Sequence, residues 1–259
     1  MIPVEFGGYA FSGPGGWADL TPKRYRYWVR WQRTGAQHVG LYALLKLWFR
    51  MKTKHLQLLD DDQRATLVDT VFGFLSERPS HWLQPRIRIG WRRYQGPGDR
   101  LQYLTFGEFM FAESARQSFS EEPTPEQTAE LAAAIYRPYD SKREGGRSAF
   151  DGVTYDQQIR RFGRLPIDVL HGILINYYGC HDQLVTRFEH LYSKRKVESS
   201  DGSGSSTGWL DVGLNLARQT GALGSFHELE RTNVYLVLTV LDNVMKEQAE
   251  LDEKMRSND

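Results

Sequence analysis

One short signal recurs along this chain and limits its folds more than anything else in it. A Thr, Ser or Asp able to accept from free backbone N–H groups is followed by helix formers, then by apolar residues three and four positions apart. Thr21-Pro22 is the first example, with Pro where a missing N–H costs nothing. Asp60-Asp61-Asp62-Gln63 precedes Leu67, Val68, Val71, Phe72 and Leu75. Thr105-Phe106-Gly107-Glu108 and Thr124-Pro125-Glu126-Gln127 have the reciprocal form, in which the cap and the third residue after it satisfy each other's amides. Thr154-Tyr155-Asp156-Gln157 and Ser225-Phe226-His227-Glu228 open two more helices. Leu165-Pro166 leads into the longest amphipathic run, Ile167, Leu170, Ile173, Leu174, Tyr177, Leu184, Phe188 and Leu191, the expected core helix. The predicted class is mainly α, a multi-helix bundle of about six or seven helices.

Three stretches depart from that pattern. Residues 1–20 carry seven Gly and Pro and read as an irregular or partly extended arm before a main helical domain at 21–192. Its first helix is expected to run from Pro22 towards Lys54, with a break near Gly35 or Gly40. Pro85 to Tyr94 alternates polar and apolar residues, Gln95 to Asp99 reads as a turn, and Arg100 to Leu104 alternates again. One small β-hairpin is therefore expected near 85–104, packed on the helices or on another chain. The Gly- and Ser-rich segment 193–208 cannot bury enough apolar surface to offset its ordering entropy and reads as a flexible linker. The C-terminal helical unit at 209–259 is too small for an independent core, so it is expected to dock on the main domain or on a neighbour.

Composition narrows the functional classes. No window approaches the roughly 18 consecutive apolar residues of a membrane span. The richest run, Val39 to Phe49, is interrupted by Lys46. The N-terminus lacks the basic start and apolar core of a secretory signal, and a single Cys makes no internal disulfide. The formal net charge of +1 hides an asymmetry, with 16 basic and 8 acidic residues up to Tyr103 and an acidic excess beyond. Such halves can match each other internally or present opposite potentials to partners or neighbouring copies, so a homo-oligomer is one option.

The one candidate for covalent chemistry is Gly179-Cys180-His181-Asp182. Adjacent helical residues point about 100° apart, however, and a nucleophile normally meets its base from a separate element. As metal ligands, His171, Cys180, His181 and His190 fit none of the short spacings; His171 and His190 would stand about 29 Å apart on a straight helix. Gly202 to Gly208 lacks the strand and the Lys-Ser/Thr pair of a phosphate loop. The Asp60 to Asp62 triplet lacks the distal Glu of a calcium loop and reads as helix capping. No metal or other cofactor is expected. Between Pro22 and Lys54 there are nine Lys or Arg and no acid. Lys23, Arg24, Arg26, Arg30 and Arg33, with Arg86, Arg88, Arg92 and Arg93, are the candidates for nucleic-acid contact, with Tyr and Trp between them to stack on bases. The competing reading is a solvated cationic helix face opposed to an acidic protein surface, with edge-strand arginines that discourage unwanted pairing.

Leu104-Thr105-Phe106-Gly107-Glu108-Phe109, Ala134-Ile135-Tyr136-Arg137-Pro138-Tyr139 and the helix from Pro166-Ile167-Asp168, taken together, resemble helical proteins encoded among the tail genes of tailed bacteriophages and prophages. Tail assembly chaperone-like proteins are the nearest named group. The resemblance covers about Leu104 to Leu251 and leaves the basic N-terminal hundred residues outside. It implies a non-enzymatic tail assembly or structural protein that binds another protein, such as a tail tape measure protein, in the host cytoplasm or within a virion. It supplies no catalytic residues. Phe106, Phe109, Phe111, Ile135, Tyr136 and Tyr139 are the candidate partner-binding face, with core filling as the competing role. A nucleic-acid-binding protein is the alternative, and an enzyme centred on Cys180 and His181 the second alternative.

Overall fold

The computed structural model describes residues 1–34, 39–119, 121–192, 208–220 and 224–257, and it is mainly α. Helices α1 (Pro22–Arg33), α2 (Val39–Trp48), α3 (Thr53–Leu56) and α4 (Asp61–Phe72) come first. Then follow α5 (Phe106–Gln117), α6 (Pro125–Ile135), α7 (Tyr155–Phe162), α8 (Ile167–Arg187), α9 (Trp209–Thr220), α10 (Phe226–Arg231) and α11 (Val234–Ser257). Thr21, Asp60, Thr105, Thr124 and Ser225 each accept from the amide three residues on, and the last four receive the reciprocal Glu or Gln bond. Local capping chemistry thus sets these helix starts. The helical stretch expected from Pro22 towards Lys54 with a break near Gly35 or Gly40 is α1 and α2, separated between Arg33 and Val39, and then a further single turn, α3, after a second break. Past the end of α2, Arg50 takes φ 58, a conformation no right-handed helix continues through. Residues 193–207, expected as a linker, lie outside the described residues.

The strands fall differently from the expectation. In the opening arm, β1 (Ile2–Phe6) pairs antiparallel with β2 (Tyr9–Gly13). Gly7 and Gly8, at φ 56 and 76, make the two-residue turn, so these residues join two strands where they were expected to break the chain. The second sheet is β3 (Arg86–Ile89), β4 (Arg92–Gln95) and β5 (Arg137–Pro138), in that order. Its tight turn is Gly90-Trp91, with Gly90 at φ 61, inside the stretch expected to be one strand. Arg100 to Leu104, expected as the returning strand, instead begins within a 3-10 turn at Asp99–Leu101.

Two hydrophobic cores meet along α8. The first packs Trp17, Tyr25, Trp28, Leu44, Trp48, Phe49, Phe72 and Leu83. The second packs Phe106, Phe109, Ile135, Tyr136, Phe162, Ile173, Tyr177, Leu184, Trp209 and Leu238. The chain crosses between them as an extended strap, Pro79 to Gln84, laid on the α8 stripe Gly172, Asn176 and Gly179. A Cβ at Gly179 would overlap the Pro79 carbonyl, and one at Gly172 would overlap the Gln84 amide. Asn176 fastens the strap by accepting from the Leu83 amide at 3.0 Å and donating to the His81 carbonyl at 2.9 Å. Tyr25 ties α1 to the same helix through a 2.7 Å bond to the Gly172 carbonyl. The C-terminal helices pack on α5 of the same chain. Trp209 sits edge-on to Phe109 with centroids 4.8 Å apart, and the Phe106 amide donates to the Thr232 carbonyl at 2.8 Å.

Candidate functional site: a crevice along the first strand

The residues expected as a partner-binding face are mostly interior. Phe106, Phe109, Ile135 and Tyr136 are fully buried. Phe111 is half-buried against Phe150 and Tyr155. Tyr139 alone is exposed, at 46%. The correction has a simple cause: α5 and α6 lie between α8 and the C-terminal helices, so both sides of these helices are covered and little of their apolar surface remains for a partner.

The charged residues of the same motifs serve the fold. Glu108 is at once the reciprocal cap of α5 and the counter-ion of two buried arginines, Arg137 at 2.6 Å and Arg147 at 2.8 Å. Arg137 donates to the carbonyls of Ala133 at 2.8 Å and Tyr136 at 2.7 Å, and also to that of Ala134. Arg147 donates to the Ile135 carbonyl at 2.8 Å. The last carbonyls of α6, which no backbone amide of the helix can reach, are thus paired with cations at the negative end of the helix dipole.

Cys180 and His181 do not form a nucleophile and base. The Cys180 thiol is buried and donates to the Ser80 carbonyl at 3.3 Å, inside the strap. Burial pushes its pKa up to about 12, away from the reactive thiolate. His181 turns to Glu113, with its Nε2 3.3 Å from Oε1. Glu113 is fully buried and is further held by Arg116, which donates to both its oxygens, and by the Tyr177 hydroxyl at 2.8 Å. Burial alone would raise the Glu113 pKa, but His181 and Arg116 outweigh it and hold the group at about 2. Among the described residues no three His, Cys, Asp or Glu side chains converge as metal ligands. No helix among them is long and apolar enough to cross a membrane.

An accessible space of useful size lies elsewhere. A crevice of about 510 Å³ opens between β1 and α4. Ile2, Val4 and Phe6, alternate residues on one side of β1, line it together with Leu67 and Val71 of α4. Glu5, Asp62, Gln63, Thr66 and Thr70 make its polar margin. The Thr66 and Thr70 hydroxyls are spent on carbonyls one turn back, and Gln63 on the Asp60 cap. β1 has a strand neighbour on one side only, and Pro3 removes a donor from its open edge. Apolar side chains can therefore enter the crevice while Glu5 and Asp62 favour cations at its margin. This site is absent from the expectations drawn from sequence, although the alternation of Ile2, Val4 and Phe6 up to Gly7-Gly8 was a legible strand-and-turn signal.

The basic candidates divide. Arg24 reaches the Trp48 carbonyl at 3.2 Å and closes the end of α2. Arg30 and Arg33 both pair with Asp168 in the first turn of α8, at 2.7 and 3.0 Å. Lys23 and Arg26 are exposed on α1. Arg86, Arg88, Arg92 and Arg93 are exposed on the β3–β4 pair and meet no carboxylate among the described residues. Comparison with protein-family models, with curated proteins and with solved structures finds no match to this chain.

Proposed function

We propose that this protein is a non-enzymatic assembly factor of the tail assembly chaperone-like kind, and that it holds a segment of another tail protein, such as the tape measure protein, in the crevice between β1 and α4. The observation that carries the reading is the crevice itself: about 510 Å³, apolar along its floor and acidic at its margin. That volume suits a short run of apolar side chains, and the margin suits basic residues flanking them. The segments that resemble tail proteins build the second core, through Glu108 and Arg137. The crevice lies in the N-terminal hundred residues, outside the resemblance. This division fits a shared helical body that carries its own partner-specific element.

The test is co-expression with candidate tail polypeptides, using a photoreactive amino acid in place of Leu67 and, as a control, in place of the exposed Val153. The expected result is a stoichiometric complex crosslinked from position 67 and not from position 153, and lost on Leu67→Glu. A complex that tolerates Leu67→Glu, or that crosslinks from position 153 alone, contradicts the reading.

A further inference from the structure

A second surface, independent of the crevice, surrounds the N-terminal end of α8. Three elements reach that end. The strap runs along α8 from Asn176, where it receives the Leu83 amide, to Val169, whose carbonyl lies 3.5 Å from Gln84 Nε2, and its next residues begin β3. α1 runs the same way, from Tyr25 at Gly172 to Arg30 and Arg33 at Asp168. α7 ends in the turn that leads directly into α8 and carries Arg160 and Arg161, with Arg164 just beyond. Arg30 and Arg33 share Asp168 at this end, and the elements that adjoin it, β3 beyond the strap and α7 before the turn, carry further arginines.

The β3–β4 pair is the most informative part. Arg86 and Arg88 lie on the outer side of β3, opposite Ile87, which is buried. Arg88 stands directly across from Arg93, a like-charge pairing that costs a sheet stability. Edge protection accounts for arginines on β3, but β4 is paired with β5 at Tyr94 and Gln95 and its Arg93 carbonyl accepts from the Tyr139 amide at 2.9 Å, so at Arg93 an open edge is not what the charge protects. At the turn, Trp91 is 79% exposed, with the Arg92 guanidinium 5.0 Å from its ring centre. Tyr139 is also exposed, with the Arg86 guanidinium 5.8 Å from its ring. An uncompensated guanidinium beside an exposed aromatic face is the combination that neutralises a phosphate while a base stacks.

We infer that the β3–β4 turn binds single-stranded nucleic acid, Trp91 stacking on an unpaired base and Arg86, Arg88 and Arg93 meeting the phosphates. An acidic protein segment would satisfy the arginines but has no use for the exposed indole, and a duplex offers no unpaired base to Trp91.

Fluorescence anisotropy of a labelled oligo-dT of about 20 nucleotides, titrated with the full chain between about 50 and about 200 mM NaCl, tests the inference. Binding should weaken steeply with salt. Trp91→Ala should lower affinity at least about fivefold. Arg88→Gln/Arg93→Gln should reduce the salt slope by about 1.4, at about 0.7 for each phosphate no longer neutralised. Lys246→Gln, exposed on α11, should change nothing. All of these side chains are exposed, and circular dichroism will confirm that the variants remain folded. The inference is overturned by no binding at the lowest salt, by Lys246→Gln acting as strongly as Arg88→Gln/Arg93→Gln, by affinity unchanged on Trp91→Ala, or by tighter binding to a duplex or to polyglutamate of equal length.

Discussion

Glu108→Gln is the substitution whose consequence follows most directly from the structure. The side chain keeps its shape and one oxygen, so the cap on α5 can persist, but the charge facing Arg137 and Arg147 disappears. Both guanidiniums are buried, Arg137 completely. Removing one partner of a buried ion pair typically costs about 3–5 kcal/mol, because the other charge is left uncompensated. Here two cations depend on one carboxylate, so the upper part of that range applies. Replacing Arg137 with Met should not restore stability, as apolar replacement of a buried pair often does. The carbonyls of Ala133, Ala134 and Tyr136 would lose their donors, and each orphaned acceptor costs roughly 1–3 kcal/mol. For a chain of this size a loss of about 4 kcal/mol lowers Tm by about 8–16 °C. Thermal unfolding followed by circular dichroism at pH 7 reads the effect. A Tm within about 3 °C of the parent for Glu108→Gln, or a more stable Glu108→Gln/Arg137→Met variant, would refute the reasoning.

Other outcomes follow from the same structure. Gly179→Ala gains helix propensity of about 1 kcal/mol, yet the overlap with the Pro79 carbonyl should outweigh it, giving a net loss of about 1–2 kcal/mol by urea unfolding; an unchanged or raised midpoint would show that the strap does not need this glycine. Glu113 is held at about 2, below its ordinary 4.5, so it contributes stability that is present above about pH 4.5 and lost as pH falls towards 2. That contribution is about 3 kcal/mol, and Glu113→Gln should flatten the decline of urea midpoints between about pH 5 and pH 3; an equally steep decline in the variant would count against it. Cys180 should resist a thiol reagent in the native state and react promptly once unfolded, whereas prompt native labelling would contradict its place under the strap.

The helix starts were legible because capping is local chemistry: Thr105 and Glu108, or Thr124 and Gln127, satisfy each other whatever surrounds them. The core role of α8 was legible from its spacing for the same reason. The β3–β4 turn was not, because the alternation Arg86 to Tyr94 continues through Gly90-Trp91 and hides the reversal made by one positive φ. The opening arm is extended, one of the two options its composition allowed, but its hairpin was not legible because Gly7 and Gly8 are chain breakers by composition and a turn by position. Sequence alone also leaves the exposure of Phe106, Phe109, Ile135 and Tyr136 undecided. A stripe of apolar residues looks the same whether it meets a partner or, as here, Trp209 and α8. Glu108 and Arg137 stand 29 residues apart, and only the packing of α5 on α6 brings them to 2.6 Å.

Amide hydrogen exchange on the full chain, alone and saturated with a cognate tail polypeptide, addresses the central claim most directly. New protection confined to residues 2–6 and 59–71, the two walls of the crevice, is the expected result. Protection centred on α5 and α6, or none anywhere at saturating partner, would contradict it.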